Sequence, residues 1–119
     1  MDLPEAIKNT AQALGKSLRE DDLMRAYFAA LGEFQANLEA VELEQRLYRL
    51  YEVLITRQQA GEELSREDTQ EFFELRSRVY AHPLISKRDE ELRLIKPYLA
   101  EIADEMSAVL GVDYTALAR

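Results

Sequence analysis

The chain contains no cysteine, and this absence removes several kinds of chemistry at once. Without thiols there is no disulfide, no cysteine nucleophile and no cysteine ligand for zinc or an iron–sulfur cluster. Tryptophan is absent as well, and the chain has only 4 glycines and 3 prolines. This scarcity, together with abundant Leu, Ala, Glu and Arg, is typical of an all-α protein rather than a β-rich one.

Positive charge is also scarce. The chain has 15 Lys and Arg residues against 23 Asp and Glu residues, which gives a net charge of −8. The resulting field repels phosphate backbones and anionic lipids, so we expect no direct contact with nucleic acid or a membrane. No apolar run approaches the ~20 residues that cross a bilayer, and the opening "MDLPEAIKN" does not resemble a secretion signal. These features lead us to expect a cytoplasmic protein.

The 119 residues correspond in length to a single domain. Apolar side chains recur at helical spacing along most of the chain. We therefore predict one all-α domain spanning 1–119, an antiparallel bundle of about four helices around one long central helix. The predicted helices cover residues 3–19, 22–60, 66–81 and 86–110, and a short tail follows at 112–119.

Capping residues set the predicted helix starts. Asp2 is expected to cap the first helix, and Asp21 or Asp22 the second. Ser65 and Asp68 have the spacing of a capping box, which places the start of the third helix at Arg66. The fourth helix is expected to follow Ser86, which precedes Asp89 with the same spacing.

Glycine and proline set the predicted helix ends. Gly61 is expected to end the second helix and Gly111 the fourth. The third helix should end by Ala81, because His82 precedes a proline and is pushed out of the α region. Pro97 lies inside the apolar register of the fourth helix, where we predict a kink and no break.

The long central helix is predicted because nothing between Leu23 and Gln59 forces a stop. A bend is allowed but not required at Gly32, where glycine costs ~1 kcal/mol relative to alanine. A helix of ~38 residues would be ~57 Å long, and its shorter neighbours would cover only part of it. This difference in length favours a homo-oligomer, either a dimer or a tetramer.

A wide apolar arc occupies the second half of that helix, in the segment "LYRLYEVLI". The arc consists of Leu47, Tyr48, Leu50, Tyr51, Leu54 and Ile55. It can be the core of a monomer or, in part, a contact between subunits. Tyrosine is amphipathic and enriched in interfaces. We therefore predict that the arc carries helix–helix contacts between proteins, while the acidic surface meets a basic partner.

No catalytic, cofactor-binding or metal-binding residue is predicted. His82 is the only histidine and has no Glu-x-x-His or His-x-x-x-His partner, so we interpret it as a residue that ends a helix. Acidic clusters around the third and fourth helices are typical of solvated faces. No phosphate-binding loop or nucleophile elbow is present. A carboxylate-based metal enzyme and a bundle that binds a small ligand at Pro97 are kept as alternatives.

Three segments resemble the YlbF/YmcA family of small helical bacterial proteins. They are "IKNTAQALGKSLRE", "RAYFAALGEFQANLEAVELEQRLYRLYEVLITRQQ" and "RVYAHPLISKRDEELRLIKPYLAEIADEM", and the resemblance covers roughly residues 5 to 110. It implies a non-enzymatic cytoplasmic regulator that acts through protein contacts, alone as a homo-oligomer or in a heteromeric complex. Family members are linked to competence, sporulation, biofilm formation and messenger RNA processing by ribonuclease Y. The cysteine-rich tail that binds an iron–sulfur cluster in some members is absent here.

Overall fold

The computed structural model describes residues 1–119 and contains six α-helices and no β-strand. The helices are α1 (Glu5–Glu20), α2 (Asp22–Gln35), α3 (Leu38–Gln59), α4 (Arg66–Ala81), α5 (Pro83–Leu110) and α6 (Tyr114–Leu117). The all-α class predicted from the sequence is thus confirmed. The number of helices is larger than the predicted four, and the antiparallel arrangement of the whole bundle stays a prediction.

Contacts within the chain divide it into two compact units. Unit 1 comprises Met1–Ala29 and Glu90–Arg119, and unit 2 comprises Ala30–Asp89. Unit 1 therefore holds α1, the first part of α2, most of α5 and α6. Unit 2 holds the end of α2, the α3/α4 hairpin and the first turns of α5. The prediction of one domain over 1–119 stays a prediction.

Unit 2 contains the main hydrophobic core. Its buried members are Phe34, Ala40, Leu43, Leu47, Leu75, Val79 and Ile85. The residues from α3 and α4 recur at steps of three or four, so each helix presents one face to the other. On α4 the buried positions are Leu75 and Val79.

The predicted long helix is wrong, because the chain leaves the helical conformation at Ala36 and Asn37. Asn37 is extended, and its side-chain oxygen accepts a hydrogen bond of 2.9 Å from the Ala40 backbone N–H. An asparagine that caps a new helix in this way competes with continuation of the old one. Gly32, where a bend was allowed, lies within α2, and its carbonyl accepts from the Ala36 N–H.

The loss of the long helix removes one argument for an oligomer. With 22 residues, α3 is ~33 Å long, well short of the length that the sequence suggested. A difference in length between α3 and its neighbours therefore no longer favours a second subunit. Any case for self-association has to rest on the surfaces that the helices expose.

The loop between α3 and α4 follows the predicted local chemistry. Gly61 has a φ of +87°, the left-handed conformation that glycine adopts without strain. Ser65 and Asp68 form the predicted capping box, since the Ser65 hydroxyl accepts from Asp68 N–H and the Asp68 carboxylate accepts from Ser65 N–H. The helix start at Arg66 is confirmed.

His82 joins α4 to α5. Its backbone is extended, and its N–H donates to the Val79 carbonyl at the end of α4. Its ring nitrogen Nδ1 accepts a 3.2 Å hydrogen bond from Leu84 N–H in the first turn of α5. The predicted start of this helix after Ser86 is wrong, because Pro83 occupies the first helical position, where its missing N–H is harmless. The lone histidine therefore caps a helix.

Unit 1 is organised around Asp21, between α1 and α2. One carboxylate oxygen of Asp21 accepts from Leu23 N–H at 2.9 Å, which confirms the predicted cap, and the other accepts from the Tyr98 hydroxyl of α5 at 2.9 Å. The predicted cap at Asp2 is wrong, since α1 begins after Pro4 without a side-chain cap. α5 runs through Pro97 as one helix, as predicted, and Gly111 follows its end with a φ of +79°.

Candidate protein-binding groove

The structure divides the six arc residues of α3 between the core and the surface. Leu47 and Leu54 are buried, with 7% and 6% of their surface exposed. Leu50 and Ile55 are half-buried. Tyr48 and Tyr51 lie at the surface and expose 57% and 51%. The leucines hold α3 in unit 2, and the two tyrosines are the part of the arc that another molecule can contact.

The tyrosines face a groove that α3 forms with α4. The groove has a volume of about 460 Å³. Its lining consists of Leu47, Tyr48, Tyr51, Phe72, Arg76 and Tyr80. Most of these side chains are aromatic, so the floor and walls are apolar while the phenol and guanidinium groups provide polar edges. We call this feature the aromatic groove.

Ring contacts fix the shape of the aromatic groove. Tyr51 and Phe72 pair across the two helices with ring centroids 6.1 Å apart. Phe72 in turn meets Phe73 edge to face at 5.6 Å. The Arg76 guanidinium lies over the Tyr80 ring at 5.4 Å from its centroid. Such pairs have preferred geometries, which hold the groove in one shape before any partner arrives.

Sequence reasoning did not assign the α4 side of the groove to a site. Phe73 and Tyr80 flank the buried stripe of α4, which is formed by Leu75 and Val79. Their spacing of seven residues places them on one line along α4, with Arg76 between them. The available signal in the sequence was this aromatic line beside the apolar stripe of α4. In the structure, 52% of Phe73 and 56% of Tyr80 remain exposed.

A charged cluster supports the tyrosine side of the groove. Arg88 donates to both carboxylate oxygens of Glu44, one at 2.9 Å, and to Asp89 at 2.8 Å. Partial burial, together with the negative charge of Glu44, raises the pKa of Tyr48 above its usual value near 10. The Tyr48 phenol therefore stays protonated and remains a hydrogen-bond donor at neutral pH.

The acidic clusters and His82 form no metal centre. No group of three or more histidine, aspartate or glutamate side chains is arranged to hold a metal ion. Nε2 of His82 lies 4.0 Å from a carboxylate oxygen of Glu39, and its other ring nitrogen is occupied by the α5 cap. Nδ1 is thus occupied within unit 2, whereas the separation between Nε2 and Glu39 is too long for a hydrogen bond.

None of the six helices combines the length and the apolar character that a membrane crossing requires. Comparison with individual proteins, whether curated or of solved structure, found no significant match. Comparison with family models found one that covers residues 7–110, described as "Control of competence regulator ComK, YlbF/YmcA". The match spans all of α1 except its first two residues and continues to the end of α5. The chain therefore belongs to the YlbF/YmcA family of regulators.

Proposed function

We propose that the chain is a cytoplasmic regulatory adaptor that works without catalysing a reaction and uses the aromatic groove to bind a partner protein. The observation that supports this proposal is the exposure of Tyr48, Tyr51 and Tyr80 around one groove. Tyrosine and arginine are the residues that most often dominate the energy of protein interfaces. Membership of a family named for a regulator agrees with this role.

The groove suits an amphipathic helix from the partner. Two packed helices leave a furrow between them, and a third helix can lay its apolar face there with anchors at i, i+3, i+4 and i+7. The chain carries a net charge of −8, so a basic rim around those anchors would speed the encounter and exclude acidic competitors. We place this activity in the family's processes of competence, sporulation and biofilm formation, with ribonuclease Y as the first partner to test.

The test compares two substitutions on the same helix. Tyr51→Glu places a charge in the aromatic groove, whereas Val53→Glu places the same charge on α3 away from it. The two positions are equally exposed, at 51% and 53%. Binding of the soluble part of ribonuclease Y from the same organism is measured by calorimetry. We expect Tyr51→Glu to weaken binding at least tenfold, which corresponds to ~1.4 kcal/mol, and Val53→Glu to leave it unchanged.

Equal binding by both variants and the unsubstituted chain would contradict the proposal.

Light scattering on the same samples measures the oligomeric state. We propose that the chain forms a dimer or tetramer, and the mass of Tyr51→Glu shows whether the aromatic groove also holds the copies together. A change in mass with Tyr51→Glu and not with Val53→Glu would assign self-association to the groove.

A further inference from the structure

Arg76 is the one charged residue that lines the aromatic groove, and it has no acidic partner. The lining contains no aspartate or glutamate, and Arg76 belongs to none of the ion pairs of the structure. The residues three and four positions away on α4 are Phe72, Phe73, Val79 and Tyr80. Its own helix therefore offers no carboxylate at pairing distance.

Stacking holds the Arg76 guanidinium at the groove. It lies over the Tyr80 ring, 5.4 Å from the centroid. A guanidinium group that stacks through its flat face keeps its N–H donors at the edge, where they remain free to bind an acceptor. Arg76 is exposed, so water can meet these donors in the free chain.

Arg88 shows the same arrangement in its completed form. Its guanidinium lies over the Phe34 ring, 4.4 Å from the centroid, and its edge donates to both carboxylate oxygens of Glu44. Arg76 and Arg88 thus share the stacked aromatic ring, but only Arg88 has a carboxylate. The chain supplies no carboxylate to Arg76, which leaves this position to a ligand.

The other polar groups of the aromatic groove suit an acceptor as well. Guanidinium has donors and no acceptor, and the hydroxyl of a tyrosine can donate. Tyr48, Tyr51 and Tyr80 bring three such hydroxyls to the lining. A carboxylate is the side-chain group that complements a set of donors beside a positive charge.

The unpaired guanidinium also works against other ligands. A helix that covers the groove with apolar side chains alone removes water from Arg76 and leaves a charged donor without a partner, which is costly. A lysine or arginine at that position adds repulsion between like charges. A carboxylate replaces the lost water with charge-assisted hydrogen bonds. The groove therefore discriminates between helices by the charge at one position.

We infer that the aromatic groove selects a partner helix with one glutamate or aspartate among its apolar anchors, and that Arg76 recognises this carboxylate. The inference rests on the proposed function, because it specifies the chemistry of the helix that the groove binds. It is compatible with a basic rim on the partner. The acidic side chain enters the groove, whereas the rim meets the surrounding surface of a chain whose net charge is −8.

Three small probes test the chemistry of the groove without a partner protein. Phenylbutyrate, phenylbutyramide and phenylbutylamine join a phenyl ring through a similar chain to an anionic, a neutral and a cationic end group. Binding is followed by nuclear magnetic resonance, through chemical shift changes at Tyr48, Tyr51 and Tyr80 in an isotope-labelled chain. We expect phenylbutyrate to bind about tenfold more tightly than phenylbutyramide, and phenylbutylamine to bind most weakly. The net charge of −8 alone favours the reverse order.

Two variants assign this preference to one residue. Arg76→Gln should make phenylbutyrate and phenylbutyramide bind equally. Arg78→Gln is the matched control, because it removes the same charge from an exposed position of the same helix outside the lining of the groove. It should keep the preference for phenylbutyrate. Circular dichroism checks that both variants keep their helices.

Three results would overturn the inference. The first is equal binding of phenylbutyrate and phenylbutyramide to the unsubstituted chain. The second is a preference for phenylbutyrate that survives Arg76→Gln. The third is the absence of a saturable shift at the groove with any of the probes.

The same variants separate this inference from the proposed function. With the soluble part of ribonuclease Y, we expect Arg76→Gln to weaken binding about tenfold and Arg78→Gln to leave it unchanged. If Tyr51→Glu weakens binding but Arg76→Gln does not, the groove binds its partner without an acidic anchor, so the inference is wrong and the proposed function stands. If ribonuclease Y does not bind but the preference for phenylbutyrate depends on Arg76, the choice of partner is wrong and the recognition of a carboxylate is supported.

Discussion

Arg88 is a half-buried residue of unit 2. Its guanidinium group makes contacts both through its flat face and through the N–H donors at its edge. Its planar face lies over the Phe34 ring at 4.4 Å from the centroid. Its edge donates two hydrogen bonds to Glu44 and further ones to Asp89. These bonds, led by those to Glu44, raise the pKa of Arg88 above its usual value. Lysine offers neither the flat face nor the paired donors.

We expect Arg88→Met to lower the free energy of unfolding by about 2 kcal/mol, because Glu44 would be left largely buried without its partner. Urea denaturation measures the change. Arg93→Met is the control: Arg93 pairs with Glu90 at the exposed surface, where solvent screens the pair, and its loss should have little effect on stability. Similar losses for the two variants would mean that the burial of the Arg88 cluster has no energetic consequence.

Asp68 links stability to pH through two contacts. The Arg57 guanidinium at 3.1 Å, helped by Ser65, lowers the pKa of Asp68 below its ordinary value of 3.8. The unfolded chain therefore takes up this proton at a higher pH than the folded chain does. The stabilisation is fully present above pH ~4 and is lost as the pH falls through the lowered pKa.

We accordingly expect the acid side of the stability curve to be less steep in Asp68→Asn than in the unsubstituted chain. Thermal melting between pH 2 and pH 6 measures both curves. Asp104 makes no ion pair, so Asp104→Asn is the control for the loss of one carboxylate. Parallel curves for the unsubstituted chain and Asp68→Asn would show that the Arg57 contact is too weak to shift proton uptake.

Among the helices, the sequence predicted those ends that depend on local chemistry. The capping box at Ser65 and the glycine turns at Gly61 and Gly111 involve residues within one turn of each other, and all three were found. The break at Asn37 was missed because the apolar register continues through it, from Phe34 to Leu38 and beyond. Leu38 nevertheless exposes 70% of its surface. Periodicity alone did not reveal that the helix had restarted.

The aromatic groove was only half predictable for a related reason. Tyr48 and Tyr51 were identified from the width of the arc on α3, a property of one helix. The contributions of Phe72, Arg76 and Tyr80 depend on how α4 packs against α3. Periodicity predicts which face of a helix turns inward, but the pairing of side chains between two helices is set by their relative position.

We expect Asn37→Ala to lower the free energy of unfolding by about 1 kcal/mol, because the first turn of α3 loses the acceptor for Ala40 N–H. Asn37→Ser keeps a capping oxygen and should recover most of the loss. Chemical denaturation of the three proteins gives the comparison. If Asn37→Ala is as stable as the original chain, the stabilisation gained from the higher helix propensity of alanine outweighs the loss of the cap. In that case α2 and α3 should merge into one helix, and the helical circular dichroism signal should increase.

Across the whole molecule, burial is distributed unevenly. Met24 and Ile95 are the only buried apolar residues of unit 1, whereas all the others belong to unit 2. Hydrophobic stabilisation follows the apolar area removed from water, at roughly 25 cal/mol per Å². Unit 1 therefore has much less to hold its helices than unit 2, and a cover over α1 and the end of α5 would add stability where it is lowest.

This unevenness predicts a gradient in amide hydrogen exchange. At low protein concentration, amides of α1 should exchange with free energies near zero, while those of α3 around Leu47 and Leu54 should approach the free energy of global unfolding. Strong protection of α1 would contradict this gradient and would mean that its apolar face is covered.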